Sequence, residues 1–252
     1  MRMSLKQPIS LPSSNMSNTN EKIFLILDQI TSYEKAVSIR RLSEDLNMPL
    51  SSLYRYITLL KDWRHIEENP YTKEIYIGSM SLALARSHEK AKLEDREYEI
   101  ALERLSVVTG ETCMFMVPAG YHALCTVCKE SKETLRCTFE VGQRQPLIKE
   151  ASSKVLLANL PKERQEKVAK YYELDTYDPH WKRSIKKTKY DGFSISKSEY
   201  NTGVIGISVP IIRKKTLVGA ITVMAPNERA RTGFERVIQD LMNEASILNR
   251  SR

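Results

Sequence analysis

Between Asn20 and Gly78 the chain alternates apolar runs with breakers in an order that few folds accommodate. Ile23, Phe24, Ile26, Leu27 and Ile30 recur at helical spacing and predict a first helix with an apolar face, capped by Asn20. Ser38 is placed to cap a second helix carrying Ile39, Leu42 and Leu46. Asn47-Met48-Pro49 breaks that helix, since proline lacks an amide hydrogen and disfavours helix in the residue before it. A third helix is expected from Ser51 to Trp63. The stretch from Ile66 to Gly78 reads as two short strand-like runs turned at Asn69-Pro70. Three helices followed by a hairpin is the outline of a winged helix-turn-helix.

The third helix separates its chemistry by face. Leu53, Ile57 and Leu60 turn one way. At about 100° per residue, Ser51, Tyr54, Arg55 and Thr58 turn the other way. Their hydroxyl, aromatic and guanidinium groups suit base edges and phosphates. Ser51 and Ser52 at the helix start add backbone N–H groups that attract phosphate. Arg40 and Arg41 on the preceding helix are placed for the DNA backbone, and Lys73 at the wing tip for an adjacent groove. Each residue alone fits a solvated helix face. Together, in one module, they point to double-stranded DNA.

A chain of 252 residues is long enough for two domains. Residues 1–20, rich in Ser, Asn and Pro, read as a disordered tail; 21–78 as the DNA-binding module; 79–94 as a linker helix; and 95–252 as a second domain. In that domain an amphipathic helix over 93–109 is expected to bury Ile100, Leu102, Leu105 and Val108. Strands are expected at Thr112–Pro118, His122–Lys129, Arg136–Val141, Gly203–Ile212 and Thr216–Met224. Helices are expected over Ser153–Ala169, interrupted near Pro161, and from Thr232 to about Leu248; the basic stretch Tyr171–Lys189 lies between. Strands flanked by helices give an α+β class. The net charge of +8 is spread over both halves, so charge alone does not locate a DNA-binding region. No run approaches the ~18 apolar residues of a membrane span, and no apolar signal core opens the chain, so no membrane role and a cytoplasmic site are expected.

The chain resembles the IclR family of bacterial regulators over roughly residues 21–250. The resemblance is carried by Ile39-Arg40-Arg41-Leu42-Ser43-Glu44-Asp45-Leu46-Asn47-Met48-Pro49, by Ser51-Ser52-Leu53-Tyr54-Arg55-Tyr56-Ile57 and by Ile75-Tyr76-Ile77-Gly78. Further on it is carried by Thr109-Gly110-Glu111-Thr112, by Gly142 to Ala158, by Tyr190-Asp191-Gly192-Phe193 and by Gly203-Val204-Ile205-Gly206-Ile207-Ser208-Val209-Pro210. It implies a winged helix, a linker helix and a GAF-like effector-binding domain with an antiparallel sheet. It also implies homodimers or dimers of dimers on palindromic operators, and dimerisation is expected to run through the first helix and the linker helix. Leu82, Leu84 and Ala85 supply an apolar surface for such a contact. By the same resemblance, a small and usually acidic effector meets Ala151, Ser152, Ser153, Ser196, Val204, Gly206, Thr222 and Met224. Ser152 and Ser153 stand at a helix start, which suits a carboxylate, and Thr222 and Met224 share a strand face. Relatives that bind small oxo-acids tend to carry Asp and Ser where Ser196 and Met224 stand, so a larger or more apolar carboxylate, aromatic ones included, is expected here. The sequence departs from the family at Ser153, where glycine is usual, and at Trp63-Arg64-His65, which replaces a glycine-containing link.

An enzyme is not expected. His65, His88, His122 and His180 fall in unrelated segments, and there is no phosphate-binding loop or nucleophile elbow. Ser152-Ser153-Lys154 superficially resembles a serine–lysine pair, but adjacent helical side chains diverge by about 100°. No metal or cofactor is expected. Cys125 and Cys128 lack a second tight pair, and positions three apart on a strand face opposite sides, so reduced thiols are expected. A DNA-binding protein with a purely structural C-terminal half is the alternative to a sensor.

Overall fold

Leu42, Leu53, Ile57 and Leu60, which helical spacing turns inward, meet in the core of an N-terminal unit. The computed structural model describes residues 19–33, 35–91, 96–197, 203–230 and 234–250. The chain divides into Met1–Lys92 and Leu93–Arg252. Most of the expected tail, 1–18, and the end of the expected linker helix, 92–94, lie outside the described residues.

In the first unit α1 spans Thr19–Thr31, so Asn20 sits inside the first turn and is not the cap. Leu25, Ile26 and Ile30 are buried, but Phe24 is 71% exposed, against expectation. Two residues along a helix is a rotation of roughly 200°, so with Ile26 inward Phe24 points away. Ser38 does cap α2 (Ile39–Asp45), accepting from the Arg41 amide at 3.3 Å. Pro49 precedes α3 (Leu50–Asp62). The hairpin pairs β1 (Ile66–Glu68) with β2 (Ile75–Ile77). Asn69 makes its turn by accepting through Oδ1 from the Tyr71 and Thr72 amides at 2.9 and 3.2 Å.

Two backbone features join this hairpin to its neighbours. Arg64 adopts φ 55°, the left-handed region where glycine costs least, and it does so in the link where family members usually have glycine. At Gly78 a Cβ would stand 2.3 Å from the Arg64 carbonyl oxygen, which accepts from the Met80 amide at 3.0 Å. The missing side chain is therefore what lets that carbonyl satisfy a free N–H at the start of α4 (Met80–Ala91). Along α4, Leu82 and Leu84 are exposed.

The second unit is α+β. Its six strands are β3 (Thr112–Ala119), β4 (His122–Lys129), β5 (Arg144–Pro146), β6 (Ser194–Lys197), β7 (Val204–Arg213) and β8 (Thr216–Pro226). They form one antiparallel sheet in the order β5-β4-β3-β8-β7-β6. Helices are α5 (Arg96–Thr109), α6 (Ala151–Asn159), α7 (Lys162–Tyr171), α8 (Pro179–Asp191), α9 (Asn227–Ala230) and α10 (Phe234–Arg250). On one face of the sheet Leu102 and Leu105 of α5 and Leu241 and Leu248 of α10 pack on Phe115, Ile207, Ile221 and Val223. On the other, Val155 and Leu156 of α6 pack on Met114, Met116, Ala220 and Met224. Truncating any of these fully buried large side chains to alanine costs about 2–5 kcal/mol in comparable cores.

Three expectations fail here. Ile100 and Val108 are exposed, and Tyr98 and Ala101 take the inward face of α5 with Leu102 and Leu105. Arg136–Val141 is not a strand, although Cys137 and Phe139 are buried in alternation. Side chains take its carbonyls: the Thr112 hydroxyl donates to Cys137 at 2.6 Å, and the Cys128 thiol donates to Phe139 at 3.0 Å. Apolar alternation reports which side chains turn in, not whether the backbone finds a ladder. The last correction concerns β4. Met114 pairs with Cys128 and Phe115 with Val127, but Met116 pairs with Cys125, so Thr126 is an extra bulged residue. The bulge resets the alternation, and both cysteines turn to the α6 face.

Candidate functional site

On α3, Leu53, Tyr56, Ile57 and Leu60 anchor the helix, while Ser51, Tyr54, Arg55 and Thr58 are exposed and Ser52 is partly so. Leu53 is the first α3 residue whose amide reaches back, to the Pro49 carbonyl. The amides of Leu50, Ser51 and Ser52 therefore precede the helical ladder, at its positive end. The Arg55 guanidinium leans on Tyr56, 5.2 Å from the ring centroid. Thr58 donates to the Tyr54 carbonyl at 3.0 Å. Arg40 is exposed, and Arg41 lies 3.7 Å from Asp45. Lys73 stands 3.6 Å from Glu68. Lys61 of α3 meets the same carboxylate at 2.7 Å, which ties the hairpin to the helix and holds Glu68 below the usual carboxylate range. A helix with one apolar and one polar, cation-bearing face, braced by a hairpin, can lie against a nucleic acid groove.

In the second unit, strand register gathers the expected effector residues. Ser196, Gly206, Met224 and Thr112 form one row across β6, β7, β8 and β3. Ser194, Ser208, Thr222, Met114 and Cys128 form the next. Val204 lies two residues before Gly206 on the same strand and packs against the α6-side core. Ala151 meets the row directly: a Cβ on Gly206 would be 2.8 Å from Ser196 Oγ and 3.5 Å from Ala151 Cβ. Ser152 and Ser153 accept from Gln145 Nε2 at 2.7 and 3.1 Å. Thr222 and Ser208 are hydrogen-bonded at 2.9 Å.

Three residues that the sequence reading missed belong to this cluster. Gln145 positions both serines. Ser208 continues the period-2 face of Val204 and Gly206, which was legible in the sequence. Glu150, directly before α6 at φ 68°, accepts from Ser196 Oγ at 2.6 Å. The negative charge that the resemblance finds lost at position 196 is thus supplied by Glu150 from the neighbouring loop. A cavity of about 200 Å³ opens elsewhere, on the other face of the sheet among Ile205, Ile207, Val223 and Phe234. On its rim Arg229 grips Glu111 at 2.7 and 2.8 Å. The convergent hydroxyls lie on the α6 side.

Residues 95–249 match the family described as bacterial transcriptional regulator IclR C-terminal. The chain belongs to the IclR family. It is similar to the transcriptional repressor AllR of Klebsiella pneumoniae, 24% identical over 219 residues covering 83% of this chain and 80% of AllR. The crystal structure of the C-terminal domain of a transcriptional regulator from Vibrio cholerae is 40% identical, covers 63% of this chain and 98% of that one, and superposes with a TM-score of 0.61. Thermotoga maritima IclR shares the fold, at 22% identity, 92% and 98% coverage and a TM-score of 0.57. This chain is therefore an IclR-type transcriptional regulator, and the mixed helix and sheet architecture expected from the resemblance is the one observed. Among the described residues no helix is long and apolar enough to cross a membrane.

Proposed function

We propose that this IclR regulator represses transcription as a cytoplasmic homodimer, or dimer of dimers, on a palindromic operator in double-stranded DNA, and that an organic acid held between α6 and the sheet sets its operator affinity. The outward row Ser51, Tyr54, Arg55 and Thr58 on an internally anchored α3 carries the DNA reading. One such helix covers few base pairs, so two copies on a symmetric site supply usable affinity. Exposed Phe24, Leu82 and Leu84 give the dimer contact apolar surface. Arg40, Arg41, Ser52 and Lys73 are assigned to phosphates. Binding titrations of the full chain at several salt concentrations test this. Arg55→Ala is expected to weaken operator binding by at least ~1 kcal/mol, and to flatten the salt dependence by about one ion if Arg55 meets a phosphate. Unchanged affinity together with an unchanged salt slope would remove α3 as the reading helix.

For the effector, the carrying observation is the convergence of Gln145, Ser152, Ser153, Ser196, Ser208 and Thr222 beneath the N-terminus of α6. Helix-start amides and hydroxyls suit a carboxylate. Glu150 favours a hydroxyl or amino donor elsewhere on the same ligand. An acid with such a donor fits better than the plain aromatic acid that loss of charge at Ser196 alone suggests. The protein senses this molecule and returns it unchanged. In calorimetry with hydroxy-, amino- and unsubstituted acids, the substituted ones are expected to bind tighter, and Thr222→Val to weaken all of them. Failure of every acid, or full affinity in the valine variant, would discard the site.

A further inference from the structure

The bulge at Thr126 does something that strict alternation forbids: it stacks two thiols on one face of one strand. Cys125 and Cys128 both join the α6-side core with their side chains in reach of each other, the Cys125 thiol donating to the Val127 carbonyl at 3.4 Å and the Cys128 thiol to the Phe139 carbonyl at 3.0 Å. Cys125 is buried and Cys128 partly exposed. Around them lie Met114, Met116 and Met224, which are apolar and supply neither base nor competing thiolate. The other two thiols differ in their chemistry, although Cys137 shares the α6-side core. Cys113 faces the opposite core and is raised to about 12 by burial, and burial raises Cys137 to about 11. Within the pair, hydrogen bonding with Cys128 and burial push Cys125 up, so Cys128 is the thiol that ionises first.

We infer that Cys125 and Cys128 form a reversible thiol modification site, in which hydrogen peroxide oxidises partly exposed Cys128 and buried Cys125 resolves it. The Cys128 thiolate attacks one peroxide oxygen; the S–O bond forms, the O–O bond breaks, and hydroxide leaves, taking a proton to become water. Cys125 sulfur then attacks Cys128 sulfur, giving up its proton as the S–S bond forms and the S–O bond breaks, and a second water leaves. Two thiols and one peroxide become one disulfide and two waters, a two-electron oxidation of the pair. Thiol–disulfide exchange with a small dithiol returns the pair to its reduced form, which suits a reversible mark. Because Cys128 ends the row that contains Thr222, the mark lies in the floor of the proposed effector site. The thiol chemistry itself does not depend on that assignment.

The test uses the reduced full-length protein and hydrogen peroxide, read by intact mass and non-reducing peptide maps. The expected product has lost two hydrogens, links Cys125 to Cys128 and returns to dithiol with dithiothreitol. Native Cys128 is expected to react at least ~10-fold faster than Cys113 or Cys137. Cys125→Ser should arrest the reaction at a Cys128 sulfenic acid trapped by dimedone, and Cys128→Ser should leave Cys125 unreacted. If either variant does not fold, the wild-type map alone decides. Comparable rates at all four cysteines, a different pairing, or wild-type Cys128 trapped by dimedone without a Cys125 link would each overturn the inference.

Discussion

Gly78→Ala is expected to cost the N-terminal unit about 3 kcal/mol or more and to abolish operator binding at concentrations where wild type is saturated. The added methyl would stand 2.3 Å from the Arg64 carbonyl oxygen, 2.9 Å from its carbon and 3.0 Å from the Ile66 carbonyl carbon. All three are backbone, so no side chain can swing aside. Relief requires the hairpin or the start of α4 to move, and either movement breaks the bond from the Met80 amide to Arg64. Gly120→Ala makes the contrast. Its φ is also unusual, 57°, but nothing lies within 4 Å of the added Cβ, so only about 1 kcal/mol is expected. Denaturant titration of both full-length variants, with circular dichroism at two wavelengths to separate the units, measures the difference. Equal losses in the two would show that conformation, not crowding, selects glycine at 78.

The C-terminal unit should lose stability on mild acidification because of His122. This imidazole is buried at the start of β4, and burial pulls its pKa from 6.5 down to about 4. The folded state therefore holds it neutral, while the unfolded chain takes up a proton as pH falls below about 6.5. In that window the unfolded state binds more protons, so stability falls with pH and the loss is complete near pH 4. The shift corresponds to roughly 3 kcal/mol between those limits. His122→Asn removes the titration, so its stability should fall less than that of wild type between pH 7 and 4.5. Parallel pH profiles would show that the neutral ring is not what acid disturbs.

Much of this protein is legible in its sequence because the responsible physics is local. Helical period places Leu53, Ile57 and Leu60 on one side of α3 and Tyr54 and Arg55 on the other, whatever the rest of the chain does. The cap at Ser38 and the turn at Asn69 follow from side chains reaching amides two or three residues away. Residues at Val204, Gly206, Thr222 and Met224 share a face because strand alternation is strict where no bulge intervenes.

Tertiary structure decided the rest. Phe24, Ile100 and Val108 carry the apolar chemistry of a core, but only the packing partner of each helix fixes which arc is covered. Cys137 and Phe139 alternate like a strand, yet the neighbours that arrive are a hydroxyl and a thiol, so no ladder forms. Glu150 becomes part of the proposed effector cluster only because β6, 46 residues later, brings Ser196 to it. The single residue Thr126, bulged to keep β4 in register with β3, turns Cys125 and Cys128 from opposite faces to the same one. Sequence determines periodicity and caps because they cost or gain free energy within one or two turns of chain. Register, bulges and long-range partners are set by which pairings bury the most surface with every backbone group satisfied, and that sum exists only in the assembled sheet.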